Sequence, residues 1–188
     1  MRLYEQAVLL AGADIPVGTL QNWLQRGTIA LDSPETGSER RGRRRYSERD
    51  VIRLALMAEL VARGFSPAAA GQIVNDETLR PLGFLPEWMS RIKEDHFLLL
   101  GVLEGGVPLI TKDGKSVIKS SSELLEVISG TGRKEWQAQY SLRSAVIINL
   151  SDITRTVRER ILDALATDHV ADEPGETTNG APDAPVDE

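Results

Sequence analysis

Five arginines crowd into six positions: Arg40, Arg41, Arg43, Arg44 and Arg45, with Tyr46 directly behind them. Guanidinium groups this close repel one another and have little packing use. Their planar forks suit the oxygens of phosphate. Upstream, PVGTLQNWLQRG (residues 16–27) carries Thr19, Gln21, Asn22 and Gln25 beside Leu20, Trp23 and Leu24. At helical spacing the apolar three share one face and the polar residues fall largely on the other. Amide side chains on such a helix can hydrogen-bond base edges in a major groove, adenine N6 and N7 in particular. The stretch Pro16–Asp50 therefore reads as a grip on duplex DNA, with arginines holding phosphate and a polar helix face setting sequence preference. The plainer alternative is a helical hairpin with a solvated polar face.

Other chemistry finds no support. The chain has no cysteine, which excludes disulfides, thiolate catalysis and cysteine metal sites together. His96 stands beside an apolar run without a carboxylate pattern and reads as a structural histidine. Gly101 with Gly105-Gly106 lacks the lysine of a phosphate-binding loop and reads as a turn. Trp88 and Trp136 are better core residues than walls of an effector pocket. With no nucleophile–base pair, metal cluster or phosphate loop, neither an enzyme, a cofactor nor a metal is expected.

Several elements must position the grip. Leu3 to Ala11 reads as a first helix stopped at Gly12, with Asp14 capping the second helix and Pro16 near its first turn. Two short helices joined by a tight turn have helix-turn-helix geometry. Thr28 to Leu31 has strand character, Pro34 and Gly37 mark a turn, and Arg43 to Tyr46 is placed to return as the paired strand. Ser47 with Asp50 forms a capping box for a third helix, expected to bury Val51, Leu54, Ala55, Ala58 and Val61 and to end at Gly64. Ser66-Pro67 opens a fourth helix running to about Val74. Trp23 shares the buried face with Leu20. Tyr46 is read two ways, as a ring packed under the third helix or as a phosphate contact.

The net charge of −6 looks unfavourable for a nucleic-acid partner, but it is unevenly spread. Residues 1–75 hold 10 Lys and Arg against 8 Asp and Glu, residues 76–166 hold 12 against 13, and residues 167–188 hold none against 7. The acidity lies in the tail, and a DNA backbone would meet the local arginine cluster. No apolar run approaches the roughly 20 residues that cross a bilayer. MRLYEQAVLL is interrupted by Glu5 and Gln6, unlike a secretory signal, so no membrane partner and a cytoplasmic setting are expected.

Taken in order, these features resemble the MerR-type winged helix-turn-helix. The matching elements are Thr19-Leu20, Trp23 and Gly27 of the second helix, Gly42 to Ser47, Asp50-Val51, and Gly64-Phe65-Ser66 before the fourth helix. The resemblance spans residues 3–75. It implies a recognition helix in the major groove and a wing on the phosphates. Thr19, Gln21 and Asn22 would then be helix contacts, with Arg43, Arg44, Arg45 and Tyr46 as wing contacts. Family members often have an arginine and an aromatic where this chain has Gln21 and Asn22, and its loop between Gly27 and Arg43 is longer than usual. They also commonly continue from the fourth helix into a long helix that pairs with its twin. Here Pro81, Gly83 and Pro86 interrupt that continuation.

The fold expected is a mainly α winged helix-turn-helix over residues 1–75, a linker over 76–86, a small α/β module over 87–166 and a disordered acidic tail over 167–188. In the module, Glu87 to Asp95 reads as a short helix and His96 to Leu103 as a strand. Val107 to Thr111 pairs back after a turn, and Ser116 to Lys119 is a further strand. Ser120 and Glu123 cap a helix ending at Gly130, and Ala145 to Leu150 reads as a buried strand. Ser151-Asp152 caps a last helix whose stripe Ile153, Val157, Ile161 is expected to cover the module's sheet. The function expected is a sequence-specific double-stranded DNA-binding regulator, bacterial or phage-encoded. A DNA-architectural or recombination-directing factor, and an interaction module that has lost DNA binding, are the alternatives. A homodimer through the C-terminal module is left open.

Overall fold

The computed structural model of the chain describes residues 3–31, 45–75, 95–103, 118–129 and 142–171. Strand β1 (Leu3–Tyr4) leads into α1 (Gln6–Ala13) and α2 (Val17–Gln25). Strand β2 (Tyr46–Ser47) then precedes α3 (Glu48–Ala62) and α4 (Pro67–Asn75). The C-terminal part contributes β3 (His96–Leu103), β4 (Ile118–Ser120), α5 (Ser121–Ser129), β5 (Leu142–Asn149) and α6 (Leu150–Ala171). The result is a mainly helical N-terminal helix-turn-helix followed by a small α/β unit.

Local chemistry accounts for most helix ends. At Ser47 the capping box closes as expected: the Ser47 N–H donates to Asp50 Oδ2 at 2.9 Å and the Asp50 N–H to Ser47 Oγ at 3.2 Å. Asp50 is fully buried there, and the Ser47 hydroxyl donates to the same carboxylate oxygen at 2.8 Å. At the other end of α3, Gly64 takes φ 94°. The Gly64 and Phe65 N–H groups bond back to the carbonyls of Val61 and Leu60. This left-handed cap recovers two carbonyls that the helix would otherwise strand. Ser120 and Glu123 form the second expected box, with Ser120 N–H to Glu123 Oε2 at 2.9 Å.

Several local expectations are corrected. The first helix does not begin at Leu3: Leu3 and Tyr4 pair antiparallel with Ser47 and Tyr46, which buries both tyrosines. Short apolar runs fit either period, and here a partner strand decides. Nor does α1 stop at Gly12. It continues through Ala13 and closes on Asp14 at φ 55°, so Asp14 ends α1 and does not cap α2, whose N-cap is Pro16. Thr28 to Leu31 is not a strand, and β2 pairs with β1 instead. Finally, α6 starts at Leu150 and is capped by Asn149, whose Oδ1 accepts from the Asp152 N–H at 3.0 Å. Ser151 Oγ accepts instead from the His96 N–H at 2.9 Å, fixing the start of β3. The helix runs on to Ala171, into the region expected to be tail. The linker 76–86, the helix expected over Glu87 to Asp95 except for Asp95, which is not helical, the turn at Gly105-Gly106 with its return strand, Trp88, Trp136 and residues 172–188 lie outside the described residues.

The α/β unit is an antiparallel sheet of order β4-β3-β5, with β3 in the middle. Alternate residues serve opposite faces, as the pleat requires. Phe97, Leu99 and Ile147 meet Leu124 and Val127 of α5. Leu98, Leu100, Val146 and Ile148 instead join the main core. That core is shared with the N-terminal helices and contains Leu9, Leu20, Leu54, Leu56, Met57 and Leu60 beside Leu150, Val157 and Ile161. The α6 stripe therefore does more than cover its own sheet, because α6 packs against α1 and α3. Arg158 Nε on Glu48 Oε1 at 2.7 Å and an Arg160 guanidinium N–H on Asp14 Oδ2 at 2.9 Å flank that contact.

Gly12 is what lets three helices close here. A methyl group built on it would lie 2.7 Å from Val51 Cγ1 and 3.0 Å from Ile161 Cγ1. In an open helix Gly→Ala stabilises by about 1 kcal/mol. Gly12→Ala should instead destabilise, by about 1–3 kcal/mol for overpacking. A thermal melt reads the sign directly, and a raised Tm would contradict the close approach of α1, α3 and α6.

Candidate nucleic-acid interface

Helix α2 is anchored by two side chains. Leu20 is 1 % and Trp23 6 % exposed, both in the main core, with Leu24 half-buried beside them. Each large apolar side chain buried in this way is worth about 1.5–3 kcal/mol, which fixes the rotation of a helix only nine residues long. The opposite side is thereby committed to solvent: Gly18, Gln21, Asn22, Gln25 and Arg26 are exposed and Thr19 is half-buried. The helix carries no acidic residue, so nothing on it repels a phosphate. It ends on Gly27 at φ 62°, with the Gly27 and Thr28 N–H groups bonded to the carbonyls of Leu24 and Trp23.

Beyond Gly27 the chain is pinned from behind. Thr28 lies against α4 so closely that a methyl group on Gly71 would sit 2.1 Å from the Thr28 carbonyl oxygen. Asn75, at the end of α4, donates from Nδ2 to that same carbonyl at 2.9 Å and accepts from the Ala30 N–H at 3.1 Å. The buried Arg53 of α3 donates to Asn75 Oδ1 at 3.1 Å. Arginine has no acceptor, so this contact settles which side of the amide is oxygen and leaves Nδ2 for Thr28.

The residues expected to contact DNA are distributed as follows. Gln21 and Asn22 lie open on α2, with Thr19 at the edge of that surface. Arg45 is exposed immediately before β2. Tyr46 is 2 % exposed, its ring in the core that also holds Tyr4, which is the packing alternative of its two readings. Arg43 and Arg44 lie outside the described residues. Sequence reasoning passed over Gly71 and Asn75. A glycine within the helical run PAAAGQIVN was a usable signal, since it marks a close approach of backbone where it is not a cap. Asn75 had no local signal, because its partners are 45 and 47 positions away in sequence. Among the described residues no group of three or more His, Asp or Glu is placed to hold a metal ion.

The Gly71 contact is testable. Its obstacle is a carbonyl oxygen held by Asn75, not the end of a flexible side chain, so Gly71→Ala must push α4 away from Thr28. We expect a loss of about 1–3 kcal/mol, the usual range for inserted methyls in packed sites, measured as a lowered urea midpoint. An unchanged midpoint would mean that α4 and the end of α2 are not in this contact.

Comparison with known proteins agrees with this geometry over the same region. Residues 9–77 match the family described as MerR HTH family regulatory protein. No curated protein matches the chain. An anchored polar helix after a tight turn, an arginine before a strand and a capped third helix all fall within that match, and over residues 9–77 the chain is similar to the helix-turn-helix of MerR-type regulators.

Proposed function

We propose that the chain is a sequence-specific double-stranded DNA-binding regulator. The observation that carries this reading is α2 itself: its core face is locked by Leu20 and Trp23 while Gln21 and Asn22 stand open to solvent. A rigid helix presenting amides suits base edges in a major groove. Thr19, Gln21 and Asn22 set sequence preference, and Arg43, Arg44 and Arg45 supply affinity through phosphate. Tyr46 supports them from the core, holding the end of the arginine stretch against β1. A cytoplasmic setting in a bacterium or phage, without metal or cofactor, accompanies the proposal. A homodimer through the C-terminal unit would match a symmetric target.

Site selection from a random duplex pool, with the mass of the complex measured, tests the reading as a whole. It should return an enriched motif, and a pool that stays random would remove the sequence-specific function. The individual roles separate by salt. Each phosphate contact adds about 0.9 to the slope of log affinity against log salt. Arg44→Ala with Arg45→Ala should therefore weaken binding to every duplex and flatten the slope by about 2. Asn22→Ala should leave the slope in place and relax one position of the motif, at about 1–3 kcal/mol of discrimination. Identical selected motifs for Asn22→Ala and its parent would take Asn22 off the reading surface.

A further inference from the structure

An arginine already bonded to a carboxylate has little left to offer an external anion. Most arginines of this chain are occupied in that way. Arg63 is held by Glu59 at 2.7 Å, Arg155 by Asp152, Arg158 by Glu48 at 2.7 Å and Arg160 by Asp14 at 2.9 Å. The buried Arg53 donates to Asn75, and the half-buried Arg49 is engaged as well. Among the arginines with described side chains, that leaves Arg26 and Arg45, both exposed and neither bonded to the protein. Arg45 already belongs to the reading above. Arg26 has no part in it.

Its position on α2 is specific. The Arg26 N–H bonds to the Asn22 carbonyl at 3.0 Å, so the helical register holds to the very end of α2. Residues four apart share a face, which sets Arg26 beside Asn22 and about 6 Å further along the axis. Leu20 and Trp23 hold the opposite face in the core, so Asn22 and Arg26 are turned outward together. No carboxylate on the helix competes for the guanidinium.

We propose that Arg26 is a phosphate contact of the recognition helix: with Asn22 on base edges, its guanidinium meets the backbone at the margin of the same groove. The proposal rests on the DNA-binding reading above. A recognition helix reads bases from its N-terminal residues, in a groove about 12 Å wide. A long side chain one turn beyond them reaches the bordering strand, where its fork fits phosphate oxygens. The plainer role of a cation at this end of a helix is to complement the helix dipole, which acts on stability and not on DNA.

The test compares Arg26→Ala, Arg26→Lys and Arg155→Ala in the full chain, with folding checked by circular dichroism. The probes are a duplex carrying the selected motif and a random duplex. Arg155→Ala removes the same charge from a side chain that Asp152 already holds, and so controls for net charge. Arg26→Ala should weaken both duplexes about tenfold and flatten the salt slope by about 0.9, with the selected motif unchanged. Arg26→Lys should keep the slope and lose only part of the affinity, because the charge stays while the fork is lost. Arg155→Ala should bind like the parent. Equal slopes for parent and Arg26→Ala, or an equal flattening in Arg155→Ala, would overturn the contact. A slope in Arg26→Lys as flat as in Arg26→Ala would overturn it too. A changed motif in Arg26→Ala would place the side chain on a base and overturn the phosphate role. A parent chain that binds neither duplex would instead sink the DNA-binding reading, and this proposal with it.

Discussion

Helix α3 is buried along nearly its whole circumference, and the other elements are placed by which side of it they cover. Val51 and Leu54 are inaccessible on one side, Ile52, Leu56 and Leu60 on another, and Met57 between them. α1, α4, α6 and β2 all pack against it. A helix surrounded in this way cannot rotate or slide without opening several interfaces at once, because interiors are packed too densely to absorb a shift. Its ends are fixed as firmly, by Ser47 and Asp50 at the start and by Gly64 at the finish. Helix α2, the segment after it and β2 inherit this rigidity. None of them is large enough to hold itself in place.

The way they inherit it is indirect. Helix α2 contributes two large side chains to the common core, and the segment after it borrows an asparagine from α4 and, through that, an arginine from α3. The surface offered to solvent is made of polar side chains on a short helix and an arginine before β2, while the groups that aim them lie behind. This separation suits a protein that meets a charged, hydrated partner. The exposed residues of α2 can vary in type without disturbing the core beneath them.

How far this arrangement was legible in the sequence depended on the range of the interactions. Motifs closed within a few residues were readable: the Ser47–Asp50 and Ser120–Glu123 boxes, the glycine end of α3, and the amphipathic pattern of Leu20 and Trp23. Periodicity misjudged α3: of the expected stripe Val51 and Leu54 are fully buried and Ala55, Ala58 and Val61 only half-buried, while Ile52, Leu56, Met57 and Leu60 outside it are buried. It also misjudged Leu3 and Tyr4, where pairing with residues more than forty positions away outweighs local preference. Gly12 was read as a stop when its missing side chain serves a contact with Val51 and Ile161. Asp14 was read as a cap for the wrong helix. The Asn75 clamp and the Arg158–Glu48 pair, 110 positions apart, were beyond any local pattern.

The final helix, α6, has a bearing on how such a protein is assembled from parts. Leu150, Val157 and Ile161 form part of the same interior as Leu9 and Leu54, with Arg158 and Arg160 gripping Glu48 and Asp14 from outside. The N-terminal helix-turn-helix is thus not a cassette that could be lifted out and fused elsewhere, since severing the chain after α4 would strip one wall from its own hydrophobic interior. Chain synthesis faces the same condition, and the first helices to leave the ribosome must wait for the last before their packing is complete.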